Sequence, residues 1–229
     1  LESLERRVEM AEKRLRGGDK EAKAGLPLMQ RVLAALQEGR PAREVEVAAD
    51  EAKAFRGLQL LSAKPVLYVC NVDEVSAADG NDHSRRVEEL AARQGAGVVT
   101  ISASIEAELA QLDEAEDQAA FLADLGLAEA GLDRVIRAGY KLLGLLTFFT
   151  SGPKQVRAWT VPKGTTAPAA GGLIHTDFER GFIRAETVSC DDFIACGGEQ
   201  GARDRGRMRS EGRDYRVKDG DIILFRFNV

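Results

Sequence analysis

Two short apolar runs, Val66–Cys70 and Gly97–Ile101, constrain this chain more than any other feature. Each reads as a buried strand. Each runs straight into a polar loop, Asn71-Val72-Asp73-Glu74 after the first and Ser102-Ala103-Ser104 after the second. Between them, Asn81–Gln94 carries Val87, Leu90 and Ala91 at helical spacing, and Gly95 supplies a stop. A crossover of strand, helix and strand makes the two strands parallel. Parallel strands place both polar loops on the carboxyl edge of one sheet, where open α/β sheets bind ligands. An α/β fold with a site built from these two loops is the first expectation.

The flanks have other textures. Leu1, Leu4, Val8, Ala11 and Leu15 alternate spacings of three and four, as do Ala22, Leu26, Met29, Leu33 and Leu36. Gly17-Gly18 stops the first helix and Asp19 caps the second, so residues 1–46 read as an antiparallel helical hairpin. Pro27 is expected to kink the second helix or mark a fresh start. Asp50–Leu61 reads as a short helix with Phe55, Leu58 and Leu61 inward. Glu106–Leu125 is acidic and helical with a break near Asp113. Leu132–Leu145 is amphipathic, with Leu132, Val135, Ile136, Leu142 and Leu143 on one side. From Leu146 onward short β-like runs dominate, at Leu146–Thr150, Val156–Val161, Phe182–Val188 and Asp214–Phe227. Helices fit at Thr166–Gly171 and Asp191–Ala195. Tyr215–Phe227 reads as a hairpin turned at Asp219-Gly220. The pattern divides the chain into residues 1–46, 47–143 and 144–229.

Charge is distributed unevenly. The net charge of −5 combines +1 over residues 1–46, −8 over 47–143 and +2 over 144–229. Arg203–Lys218 holds seven basic and three acidic residues. That run, with Arg203, Arg205, Arg207 and Arg209 at its head, is either a solvated loop or a contact for RNA or the ribosome. The longest apolar candidate for a membrane span, Leu142–Phe149, falls far short of the ~18 residues required. Three cysteines without paired spacing fit a reducing, cytoplasmic setting, and Cys70 is expected to be buried. No metal-ligand spacing is present. His175, in Leu173-Ile-His-Thr-Asp177, reads as part of a structural turn. The chain opens at Leu1 rather than Met and is already in helical phase, which suggests a piece of a longer protein.

The first loop resembles the base-reading Asn-Lys-x-Asp motif of P-loop GTPases, with two changes. The second resembles the Ser-Ala loop that closes over the base in the same proteins. In the GTPase motif an Asp carboxylate accepts from guanine N1–H and the exocyclic amino group. Adenine presents an acceptor at N1, so a carboxylate there faces a lone pair. Here Glu74 is one methylene longer and Val72 replaces the Lys that covers the base. Asn71 retains its amide, and the Val72 backbone can read an amino group. The residues describe a purine site not built for guanine. A turn in which Asn71 and Asp73 merely cap backbone groups is the plainer alternative. No G-x-x-x-x-G-K-[ST] occurs, so the chain has no phosphate loop and no catalytic residue of its own.

Longer stretches carry a more specific resemblance. They are Gly18-Asp-Lys-Glu-Ala-Lys-Ala24, Gly39-Arg-Pro-Ala-Arg43, Leu60–Glu74, Val156-Arg-Ala-Trp-Thr160, Ile174–Ala185 and Asp219–Val229. With them the chain is similar to the carboxyl-terminal two-thirds of the YchF subfamily of Obg-like P-loop NTPases. The resemblance implies three parts. Residues 1–46 are the inserted coiled-coil hairpin, and 47–143 are the remainder of the NTPase domain with part of its parallel sheet. Residues 144–229 are a TGS domain, a ubiquitin-like β-grasp. It further implies an ATP-preferring, Mg2+-dependent ATPase in the cytoplasm that associates with ribosomes through the large subunit or RNA, with no DNA or membrane partner. Base recognition falls on Asn71, Val72, Glu74, Ser102 and Ala103. The Mg2+ ligands fall in an amino-terminal part. A non-catalytic ribosome- or RNA-binding module acting through the TGS domain and the hairpin is the second function that fits.

Overall fold

The computed structural model describes residues 1–152 and 155–228 and separates into two units, Leu1–Gly131 and Leu132–Val229.

The first unit opens with α1 (Glu2–Arg16) and α2 (Lys20–Gln37), packed as a hairpin. Asp19 makes the turn by accepting from the Glu21 and Ala22 amides at 2.9 and 3.1 Å, and its other oxygen takes Arg14. Helix α2 runs through Pro27 without interruption. Its buried stripe is also wider than a two-helix seam. Leu26 meets Val8 and Ala11 of α1, whereas Leu28 and Val32 join Leu4 in a core with Ala42 and Leu58. The hairpin therefore shares its base with residues 42–63. Continued packing on that side explains how α2 tolerates the hydrogen bond that Pro27 cannot donate. Helix α3 spans only Ala52–Gly57, because Gln59 takes a left-handed φ of 53°.

Strand β1 (Leu67–Asn71) pairs in parallel with β2 (Gly97–Ile101), Leu67 opposite Gly97 and Asn71 opposite Ile101. Between them lies α4 (Asp82–Gln94). Asn81 and Ser84 form a reciprocal capping box at its start, and Gly95 ends it at φ 61°. The crossover expected from the pattern is present. Cys70 is only half-buried rather than enclosed. Helices α5 (Ala103–Leu109) and α6 (Ala115–Asp124) follow, with the break between them spanning Asp113. Helix α7 (Gly131–Leu143) differs from expectation in its packing: Leu132, Ile136 and Leu143 are 59%, 50% and 59% exposed. Helical spacing correctly marks an apolar face, but spacing does not say what covers it.

The second unit contains β3 (Leu145–Ser151), β4 (Val156–Pro162), α8 (Ala167–Ile174), α9 (Thr176–Arg180) and β5 (Phe182–Ser189). It continues through α10 (Cys190–Ala195), α11 (Glu199–Asp204), β6 (Arg209–Glu211) and β7 (Asp221–Phe227). The strands form one mixed sheet in the order β4-β3-β7-β5-β6, with β3 and β7 parallel and the other pairs antiparallel. Phe148, Ala185, Ile223 and Phe225 pack with Ala167 and Ala170 in its core.

Tyr215–Phe227 is not a hairpin. The Asp219-Gly220 turn is present, but the arm before it pairs with the segment leading into α8. The Tyr215 carbonyl takes the Ala167 amide, and the Val217 amide donates to Thr165. Buried Asp221 causes the departure. It accepts from the Tyr215 hydroxyl at 2.7 Å and the Lys218 amide at 2.9 Å, folding the arm back on itself. Strand β7 is thereby released to lie between β3 and β5.

Arg184 and Arg226 stand directly opposite on β5 and β7, a pairing that is repulsive by itself. Buried Glu186 resolves it by accepting from Arg184, Arg203 and Arg226 at 2.9, 2.6 and 3.1 Å. Hydrogen bonds from Arg226, Arg203 and Arg184 hold its carboxyl down from 4.5 to about 2. A depressed carboxylate adds stability that is complete above the unfolded value and disappears as pH falls through the folded one. The second unit is therefore expected to lose ~3 kcal/mol between about pH 5 and pH 2. Glu186→Gln is expected to flatten that part of a stability-against-pH profile; an unchanged slope would remove Glu186 as its source.

Candidate functional site

Asn71 is the last residue of β1, opposite Ile101. Its carboxamide oxygen reaches across to the next loop and accepts from the Ala103 amide at 2.9 Å. One side chain thus joins the two loops and satisfies an amide at the start of α5, whose own N-cap residue does not. That residue, Ser102, is buried, and its hydroxyl lies 3.0 Å from that of Ser104. The Val72 amide donates to the Ile101 carbonyl at 2.9 Å, extending the ladder one step past the strand. Asp73 caps the following turn, Glu74–Ser76, through the Ser76 amide at 2.9 Å. Glu74 opens that turn and is exposed.

The structure therefore brings Asn71, Val72, Ser102 and Ala103 together, with Glu74 on the turn that follows. The plainer alternative, in which Asn71 and Asp73 cap backbone groups, describes both contacts seen here. What sequence reasoning missed is that the Asn71 cap falls on the next loop, at Ala103. Nothing in the local pattern marks a bond across 32 positions. The bridge determines what remains available to a ligand. With the oxygen engaged, Asn71 offers its amino group as a donor. With the Val72 amide engaged, that residue offers its carbonyl as an acceptor.

The arginine run is organised differently from a free basic face. Arg203 pairs with Glu186 and Glu199, and Arg205 donates to the Ala195 carbonyl at 2.9 Å. Arg207 lies 3.8 Å from Asp192, while Arg209 pairs with Glu211 and Asp221 and lies over the Tyr215 ring. His175 caps α9 through Nδ1, which accepts from the Asp177 amide, as a turn residue would. Burial, then the Glu88 charge, pushes the Cys70 thiol up, away from reactivity. Among the described residues no group of three His, Cys, Asp or Glu gathers to hold a metal ion.

A family model described as YchF-GTPase_C, "Protein of unknown function (DUF933)", matches residues 145–228. A curated relative from Escherichia coli O157:H7, named "Ribosome-binding ATPase YchF", is 50% identical over 229 residues. That match covers 100% of this chain and 62% of the relative. Over its whole length the chain is similar to YchF proteins. A Bacillus subtilis (strain 168) YchF of the same name is 46% identical, with 63% of its length covered. The solved Schizosaccharomyces pombe "YchF GTPase" is similar at 28% identity and a TM-score of 0.78, over 98% of this chain and 63% of that one. The chain thus spans about 62% of the length of the curated YchF relatives it matches. The mixed α/β architecture is shared with a YchF structure, and no helix among the described residues is long and apolar enough to cross a membrane.

Proposed function

We propose that this chain carries the purine-reading loops of an ATP-preferring YchF-type NTPase that associates with ribosomes. The observation carrying this reading is the Asn71–Ala103 bond, which holds both loops in one mouth. The Asn71 amino group is suited to purine N7, an acceptor. The Val72 carbonyl is suited to the adenine amino group, a donor that guanine replaces with a carbonyl. Glu74 borders the same mouth, and Ser102 and Ala103 close its other side. When bound, Mg2+ would offset phosphate charge; its ligands and the phosphate loop belong to an amino-terminal part of the family. The names borne by the curated relatives support both ATP and the ribosome as partners. They also favour a cytoplasmic location.

In this reading residues 1–46 are a coiled-coil hairpin, 47–143 the remainder of the NTPase domain and 144–229 a TGS domain. The β4-β3-β7-β5-β6 order, with β3 and β7 paired in parallel inside the sheet, supports a β-grasp. The alternative is a ribosome- or RNA-binding module without catalysis, acting through the TGS domain and hairpin. The 229-residue chain alone is expected to co-sediment with ribosomes while hydrolysing neither ATP nor GTP, because it lacks a phosphate loop. Steady turnover by the pure chain would overturn the catalytic part, and absence from the ribosome pellet the binding part.

Specificity has its own test in a protein extended to its relatives' full length. Glu74→Asp supplies the shorter carboxylate that guanine takes, and is expected to lower the ATP-over-GTP preference about tenfold. Competition between the two nucleotides reads the ratio. An unaltered ratio would mean that Glu74 does not face the base.

A further inference from the structure

A groove within the second unit is separate from the base-reading loops. It encloses about 780 Å3, within the range of ligand-binding pockets. Ile136 and Tyr140 of α7 and Leu145 and Phe149 of β3 give it an apolar, partly aromatic lining. Arg137, Lys141, Lys163 and Lys218 supply four cations from three stretches of chain. Asp219 is the single carboxylate in the lining, and it accepts the Thr147 amide at 2.7 Å.

Backbone contacts hold this lining in place before any ligand arrives. The Lys163 amide donates to the Gly144 carbonyl at 2.6 Å, and the Gly220 amide to Thr147 at 2.8 Å. These fix the segments bearing Lys163 and Lys218 against the two ends of the β3 approach. The Tyr140 and Thr160 hydroxyls lie 3.1 Å apart, which orients the Tyr140 ring. Lys141, Lys163 and Lys218 are exposed, and none forms an ion pair among the described residues. In contrast, Arg203, Arg207 and Arg209 are paired with carboxylates and Arg205 with a carbonyl. These three lysines therefore gather unpaired positive charge around one apolar groove, on a chain whose net charge is −5.

The geometry points to a single-stranded RNA site in this groove, with a base against Tyr140 and Phe149 and phosphates on Lys141, Lys163 and Lys218. Rings beside a cationic track suit unpaired bases, whereas a duplex keeps its base faces stacked and out of reach. The choice of RNA over another polyanion rests on the ribosome-association reading, but relocates the contact from the arginine run to the groove.

The test uses the 229-residue chain and fluorescein-labelled octauridylate, whose pyrimidines do not suit the purine loops. Anisotropy at about 50 mM salt is expected to show binding that weakens steeply as salt rises. Lys163→Glu with Lys218→Glu is expected to weaken binding at least about tenfold and reduce the salt slope by about 0.7 per lost phosphate contact. Both lysines are exposed, so circular dichroism should be unchanged; Lys141→Glu alone, with a smaller loss, is the second variant. Arg207→Glu should bind like wild type. No binding up to ~1 mM chain would overturn the proposal, as would wild-type affinity in the double variant. Equal affinity for a duplex of the same length, or equal competition by uridine monophosphate, would also overturn it. Ribosomes are absent from this assay, so loss of co-sedimentation with octauridylate binding intact would sink the ribosome reading alone.

Discussion

Asn71→Asp is expected to weaken ATP binding about 30- to 100-fold while leaving both loops folded. Asn71 has two tasks that this substitution separates. An Asp oxygen still accepts from the Ala103 amide, now at 2.9 Å from the carboxamide oxygen, so the bridge persists. The amino group is lost, and an anionic oxygen then faces purine N7, which is itself an acceptor. A missing hydrogen bond plus a lone-pair repulsion costs about 2–3 kcal/mol. Asn71→Ala removes both tasks and is expected to lower stability by about 1 kcal/mol as well. Calorimetric titration with a non-hydrolysable ATP analogue, in a protein of the relatives' full length, measures the first effect. Urea denaturation of each variant measures the second. Wild-type affinity in the Asp variant would show that the amide is a structural clamp and nothing more.

Phe148→Ala is expected to have the largest effect on stability, about 3–5 kcal/mol. Phe148 is 0% exposed and meets Phe225 edge-on, with ring centres 6.1 Å apart at 76°. It lies on β3, which is paired on both sides, so neighbouring backbone cannot readily collapse into the void. The loss is a large share of the 5–15 kcal/mol that holds a typical domain together. The single tryptophan, Trp159 on β4, packs against the same core and provides a local probe. Its fluorescence should report unfolding at a much lower urea concentration. An unchanged midpoint would mean that Phe148 does not anchor this core.

The parallel crossover was legible because its signals are local: two strand-like runs, an amphipathic helix and a Gly stop, each within a few residues. The adjacency of the two polar loops followed, since a parallel pair sends both to one edge. Contacts between distant residues were not legible. The Asn71–Ala103 bridge depends on strand register, and the added breadth of the α2 stripe depends on Ala42 and Leu58 closing over Leu28 and Val32. Alternation before and after Asp219-Gly220 looked like a hairpin, because no local pattern shows that Asp221 would be buried against Tyr215. Counting arginines likewise overstated the free charge at Arg203–Arg209. Glu186, Glu199 and Asp192, outside that stretch, take up much of it.

The central claim is that these two loops read adenine. Displacement of a fluorescent ATP analogue by unlabelled ATP and GTP, from a protein of the relatives' full length, tests it most directly. The account predicts that ATP displaces the probe at a clearly lower concentration than GTP does, because the Val72 carbonyl accepts from an amino group that guanine lacks at that position. Equal displacement by the two nucleotides, or stronger displacement by GTP, would contradict it.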